Sequence, residues 1–217
     1  IERKVLEKND QVAGRNRADL AARKLFTINL VSSPGAGKTS ILEKTIECLK
    51  GSVRLGVIEG DIQTDLDAQR IARHGIPAVQ IVTNGGCHLD AALVRDAMGR
   101  LPLDALDLLV IENVGNLVCP ASYDLGENLR LVLMSVTEGE DKPLKYPTIF
   151  NSADVAVITK VDLADAVEFP WALALQNIQA VRPGMEILRV SAKTGAGLPA
   201  ALAFLGSRLA ERRVVSR

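Results

Sequence analysis

The sequence predicts an α/β fold: a three-layer, doubly wound, mostly parallel sheet with an N-terminal helical extension. Two observations carry that prediction. Short apolar runs alternate along the chain with helix-patterned segments, the sequence pattern of a parallel sheet wrapped by crossover helices. The apolar residues, 47% of the chain, include only 3% aromatics, so the core is built from Ala, Val, Leu and Ile, which suits strands buried on both faces.

The elements follow in order. Residues 1–24 are charged, with apolar positions at Ile1, Val5, Leu6, Val12 and Leu20. They read as one or two amphipathic helices leaning on a domain spanning 25–217, or as a partner-binding arm. Strand-like runs are expected at 26–31 (FTINLV), 53–58, 77–82, 106–111, 129–136, 155–159 and 187–190. Helices are expected at 39–50, where Gly51 ends the pattern, and at 64–74, where Gly75 does. Further helices are expected at 89–98, 169–180 and 198–212. There is no internal repeat or low-complexity tract. At 217 residues the chain suits one sizeable core.

Charge and composition exclude several function classes. Lys plus Arg and Asp plus Glu are both 26, so no basic excess points to nucleic acid. No apolar run approaches the ~20 residues of a membrane span. The opening IERKVLEKND carries charge where a signal peptide needs an apolar stretch. The expectation is a cytoplasmic protein without membrane contact. Its three cysteines, an odd number in a reducing compartment, then read as metal ligands or buried residues rather than a disulfide framework.

In parallel sheets, ligands bind beyond the carboxyl ends of the strands. Directly after FTINLV stands Ser32-Ser33-Pro34-Gly35-Ala36-Gly37-Lys38-Thr39, a phosphate loop of the P-loop NTPase type. Gly35 and Gly37 let successive N–H groups turn inward toward phosphate oxygens, and the following helix adds its N-terminal dipole. Ser33, Gly35, Ala36, Gly37, Lys38, Thr39 and Ser40 form the expected nucleotide-phosphate set. Lys38 is expected to reach the β- and γ-phosphates, and Thr39 to offer its hydroxyl to Mg²⁺. Ser32 stands where the pattern usually has its first Gly.

Thr159-Lys160-Val161-Asp162 follows a strand run and is similar to the NKxD guanine signature, with Thr for Asn. A carboxylate at Asp162 accepts from guanine N1–H and N2–H₂, a pair that adenine lacks. The Lys160 stem covers the base. Ser191-Ala192-Lys193 resembles the SAK element at the guanine carbonyl. GTP is therefore expected over ATP.

Glu112-Asn113-Val114-Gly115 sits where GTPases carry DxxG. Its carboxylate can hold a Mg²⁺-bound water, and Gly115 lets the backbone approach the γ-phosphate. Asp61 leaves the strand run 53–58, and Asp67 lies one or two turns farther on. Each can bind Mg²⁺ or orient the attacking water. Asp61 or Thr64 can instead cap a helix.

Cys87-His88 precedes a helix, and Cys119-Pro120 follows the Glu112 segment. Thiolate and imidazole suit Zn²⁺ or Ni²⁺. Three ligands do not close a tetrahedral site, so either a second chain supplies more or these are a buried Cys87, a capping His88 and a loop cysteine. Cys48 shares helical spacing with Ile41 and Thr45 and reads as core. His74 reads as a solvated helix-end residue.

Together SSPGAGKTS, EGD at 59–61, GCHLDA around Cys87–His88, IENVGNLVCP at 111–120 and TKVDL at 159–163 resemble the hydrogenase maturation GTPase family HypB. The resemblance runs from about residue 10 to the end. Urease accessory GTPases, UreG, carry an ESGGxNL-type segment and a Cys-Pro-His motif, unlike the order found here. The resemblance implies GTP-dependent homodimerisation and nickel delivery to the [NiFe]-hydrogenase large subunit with a zinc-binding HypA-type partner. It also implies a zinc or nickel site at Cys87, His88 and Cys119 on the dimer interface. Because Cys119 lies close to residues 112–115, a bound γ-phosphate is expected to move that ligand. Lys145 is expected to reach the partner's nucleotide. The N-terminal Cys-rich or His-rich nickel tract of some members does not occur within these residues. Two alternatives remain: a urease-type nickel accessory GTPase, and a metal-binding dimeric adaptor using nucleotide only as a switch.

Overall fold

The computed structural model describes residues 2–61 and 66–215. The strands are β1 (Phe26–Ser32), β2 (Leu55–Asp61), β3 (Ala78–Val82), β4 (Leu108–Glu112), β5 (Leu129–Ser135), β6 (Val155–Thr159) and β7 (Glu186–Arg189). They form one sheet in the order β3-β2-β4-β1-β5-β6-β7, and every pairing is parallel. The expected strands all form, that at 155–159 with its expected bounds and the others with ends shifted by at most three residues. The expected "mostly parallel" sheet is wholly parallel, so every carboxyl end lies on one edge.

β1 is central and buried along its whole length. Its side chains alternate between two cores because successive residues of a strand face opposite ways. Phe26, Ile28 and Leu30 join one face with Leu42 and Ile46 of α2 (Lys38–Leu49), Ile71 of α3 (Leu66–Ala72) and Leu205 of α8 (Leu198–Val215). On the opposite face, Val31 packs with Ile149 and Phe150 of α6 (Pro147–Ser152) and Ile178 of α7 (Trp171–Val181). A neighbouring cluster on that face joins Ile58, Leu109 and Ile111 to Leu20 of α1 (Glu2–Ala22) and Val94 and Met98 of α4 (Ala91–Met98). The result is three layers. The short helices α5 (Lys142–Lys145) and α6 have no counterpart in the expected pattern, being too brief for periodicity to register.

The N-terminal segment forms a single helix, and its buried face differs from the expected one. Val5 is 49% exposed, whereas Asn9, Ala13, Asn16 and Leu20 point inward. Asn9 donates to the Asp124 carbonyl and accepts from the Ala91 N–H at 2.8 and 2.9 Å. Asn16 donates to the carbonyls of Ala91 and Leu125 at 2.9 and 3.1 Å. Such bonds are worth about 0.5–1.5 kcal/mol each, while burying Leu20 is worth about 1.5–3 kcal/mol. The leucine therefore drives docking, and the amides fix its register, since a slip would leave them buried without partners.

Cys48 is exposed, not core. The buried face of α2 runs through Lys38, Thr39, Leu42 and Ile46, and position 48 lies about 200° around the helix from Ile46. His74 is half-buried, 3.8 Å from the Glu43 carboxylate, rather than freely solvated.

α1 lies directly on Gly126, which has φ +93; a Cβ there would come within 2.8 Å of the Ala13 carbonyl and of the Asn16 Cβ. Gly126→Ala is expected to destabilise the protein by about 2–3 kcal/mol, combining backbone strain with displacement of α1. Denaturant unfolding checks this, and an unchanged midpoint would show that α1 adapts without cost.

Candidate functional site

The phosphate loop starts where β1 ends. Ser32 is the last strand residue and lacks a positive φ, so no glycine is required at that position. Its fully buried hydroxyl donates to the Ser33 carbonyl at 2.6 Å and accepts from Lys38 Nζ at 3.0 Å. The serine thus orients the lysine, which is the physical account of the departure from Gly. Gly35 and Gly37 have φ +75 and +95, the left-handed turns that the loop requires. Ser33 donates its hydroxyl to Glu138.

A cleft of about 520 Å³ opens beside this loop. Its lining includes Gly35, Lys38, Thr39, Ser40, Asp61 and Glu112. Glu112, 4% exposed, accepts from the Thr39 hydroxyl at 2.8 Å. Gly115 packs on the loop: a Cβ there would meet Pro34 at 3.0 Å. Asp61 ends β2 on the cleft wall. Thr64 and the Asp67 side chain lie outside the described residues.

A second cleft of about 410 Å³ adjoins the first and shares Gly37, Ser40 and Lys160 with it. It also contains Asp162, Ala192 and Lys193. Ser191 donates to Asp162 Oδ1 at 2.5 Å, which aims the carboxylate. Lys160 is held at φ +56. Thr159, which stands for Asn, donates to the Ala36 carbonyl at 2.6 Å and so ties the end of β6 to the phosphate loop. Two joined compartments, one polar around the loop and one bordered by Asp162, match the two ends of a nucleotide.

The metal candidates also converge. One ligand atom each from Cys87, His88 and Cys119 lies within 4.8 Å of the others. Cys87 Sγ is 3.6 Å from His88 Nδ1. Cys119 opens a turn held by Asn116, whose side chain accepts from the N–H groups of Val118 and Cys119 at 2.7 and 3.3 Å. Two sulfurs and one imidazole fit a borderline-soft cation such as Zn²⁺ or Ni²⁺ and leave a coordination position open. The Cys87 thiol is pushed up by its hydrogen bond with Cys119 and by burial. Burial pushes His88 down, opposed by Asp90.

Sequence reasoning missed Tyr123, whose ring centroid lies 4.0 Å from that of His88, and the Ser32–Lys38 contact. It named Asn113 only as part of a motif, although its side-chain oxygen accepts from the N–H of Leu89, next to His88, at 3.2 Å. No spacing signal marks a contact between residues so far apart in the chain. Lys145 is 61% exposed and pairs with Asp141 at 2.5 Å.

The family model for the CobW/HypB/UreG nucleotide-binding domain matches residues 26–189. The chain is 51% identical over 216 residues to the hydrogenase maturation factor HypB of Azotobacter vinelandii, covering 98% of this chain and 71% of that protein. The crystal structure of HypB from Helicobacter pylori in complex with nickel superposes with TM-score 0.90 at 39% identity, covering 94% of this chain and 96% of that one. HypB from Archaeoglobus fulgidus gives 0.87 at 39% identity, covering 94% and 99%.

A raised Cys87 pKa means that the free site holds a thiol, which a metal ion must deprotonate, while the depressed His88 is already neutral near pH 7. Affinity for Zn²⁺ or Ni²⁺ is therefore expected to rise by roughly tenfold per pH unit for each displaced proton, between about pH 6.5, above which His88 is neutral, and about pH 9, below which Cys87 is a thiol. Competition with a chromophoric chelator measures this. An affinity independent of pH would exclude thiolate ligation.

Proposed function

We propose, because the chain belongs to the HypB branch of the CobW/HypB/UreG nucleotide-binding family, that it is a GTP-hydrolysing metallochaperone for nickel insertion into the large subunit of a [NiFe]-hydrogenase. The observation that carries the reading is one shared strand edge. A phosphate cleft and a Cys87/His88/Cys119 cluster lie there together, joined by the segment 112–119.

In this reading the loop N–H groups and Lys38 bind the phosphates. The Thr39 hydroxyl and Glu112 carboxylate, 2.8 Å apart, are two hard oxygen donors and fit Mg²⁺. Mg²⁺ bound there would neutralise charge on the transferring phosphoryl group. Asp61 or Asp67 orients the attacking water. Asp162, aimed by Ser191, reads guanine, with the Lys160 stem and the Ala192 backbone beside it. Catalysis is positioning and charge stabilisation.

Nickel is cargo here rather than a resident cofactor, with zinc as the alternative occupant. The three-donor cluster leaves room for a further ligand, which supports a GTP-dependent homodimer with the metal at its interface. The HypA-type accessory protein and the hydrogenase large subunit are the proposed partners, in the cytoplasm. Among the described residues no helix is long and apolar enough to cross a membrane. The domain reading pairs the 1–24 extension with a GTPase domain at 25–217. An adaptor that uses nucleotide only as a switch is the competing reading; hydrogenase maturation that survives Lys38→Ala would favour it.

The purified chain is expected to hydrolyse GTP with Mg²⁺ in preference to ATP. Asp162→Ala should reduce that preference about tenfold or more by removing the paired acceptor. Steady-state phosphate release with each nucleotide decides, and equal turnover of both by the unmodified chain would sink the assignment. Lys145→Ala is expected to weaken dimerisation with a non-hydrolysable GTP analogue while leaving the GDP state unchanged. Sedimentation velocity measures both.

A further inference from the structure

Leu89 directly follows the metal-ligand candidate His88, and it is fully buried. Its N–H donates to Asn113 Oδ1 at 3.2 Å. Its side chain fills the space above Gly60, where an added Cβ would lie 2.8 Å from Leu89 Cδ1 and 2.9 Å from Cγ. Gly60 sits between Glu59 and Asp61 near the end of β2, and Asn113 comes immediately after Glu112 at the end of β4. The residue beside His88 is therefore held to both strand ends that border the phosphate cleft.

Strand parity makes this a link between two faces. Glu112 points toward α2 and accepts from Thr39, so the next residue, Asn113, points to the opposite face. Asn113 is 1% exposed, and its oxygen also accepts from the Val114 N–H at 2.9 Å. Its amide nitrogen donates to Asn29 Oδ1 at 3.4 Å, and Asn29 donates to Glu127 at 3.1 Å. Arg130 pairs with Glu127 at 2.7 Å and donates to the Tyr123 and Ala121 carbonyls at 2.7 and 3.3 Å. That carbonyl pair belongs to the turn opened by Cys119. Both halves of the metal cluster thus hang from one buried hydrogen-bond chain that begins beside Glu112.

We propose that Asn113 and Leu89 form a clamp that converts the position of the β2 and β4 ends into the spacing of Cys87, His88 and Cys119. Asn113 is its positioning residue. The clamp makes metal affinity depend on whether the cleft holds a di- or triphosphate. The proposal rests on the GTP-and-metal reading above and names the residues that couple the two ligands. A change at Glu112 is transmitted to its neighbour because a buried amide bonded through both its oxygen and its nitrogen has few alternative arrangements, so the packed loop shifts with it.

The test is the ratio of Ni²⁺ dissociation constants measured with saturating Mg·GDP and with a saturating non-hydrolysable Mg·GTP analogue. A chromophoric chelator reports free metal. The unmodified chain is expected to show a ratio at least about fivefold away from one. Asn113→Ala should bring the ratio to within about twofold of one, even if overall stability falls. Leu89→Met, which keeps volume but changes the seat on Gly60, should also reduce it, and it decides the matter if Asn113→Ala does not fold. Variants that keep the full ratio overturn the clamp and leave coupling intact. A ratio of one in the unmodified chain overturns the coupling itself, and the clamp with it.

Discussion

The parallel register of β2, β4 and β1 is the constraint on which the rest depends. Glu59 pairs with Glu112, and Glu112 with Leu30 of β1, so the three strands reach the same edge, with β1 and β2 running two residues beyond the level of Glu112 to Ser32 and Asp61. Along each strand, the side chains facing α2 are apolar until the last turn of the pleat and polar at the end. Phe26, Ile28 and Leu30 lead to Ser32; Leu55 and Val57 lead to Glu59; Leu108 and Val110 lead to Glu112. Burial on both faces makes the apolar runs obligatory. The polar ends are tolerated because each strand finishes beside the phosphate loop, where partners exist. Thr39 on Glu112 and Lys38 on Ser32 are two of them.

The same alternation separates the chemistry by face. On the α2 face lie the phosphate loop, Glu112 and the route to Asp162. On the other face lie Gly60, Asn113, Leu89 and the Cys/His cluster. A single peptide step at the end of β4 moves from one to the other. The opposite face is tightly bonded: Arg130 and Glu127 are 8% and 6% exposed as side chains and satisfy one another. Removing one partner would strand a buried charge, whereas keeping both fixes the turn that bears Cys119.

The legible part of the site is the part in which chemistry follows the chain. The residues from Ser33 to Ser40 form one continuous segment that turns at Gly35 and Gly37, so their order in sequence is their order in space. Asp162 and Ser191 are separated along the chain, yet each follows a strand end, and a parallel sheet collects strand ends. Helix faces were less legible. Val5 and Val12 suggested an apolar stripe on α1, but the buried stripe includes two asparagines, because its neighbours present backbone carbonyls and an N–H at Asp124, Leu125 and Ala91 within reach of their amides. Cys48 misled for a related reason: spacing places it near a face, and only packing says which face is covered.

By itself the sequence determined the α/β class, the phosphate loop, the acidic residue that borders the second cleft and the identity of the candidate metal donors, because each depends on residue type at short range or on a strand end. Tertiary structure decided what Ser32, Thr159 and Asn113 do. Their hydroxyls and amide act on the Lys38 ammonium, the Ala36 carbonyl and the Leu89 N–H. For Thr159 and Asn113 those partners lie on other segments of the chain, and for Ser32 the partner lies on the far side of a tight loop. A hydrogen bond is set by distance and angle in space, and neither is encoded by spacing along the chain.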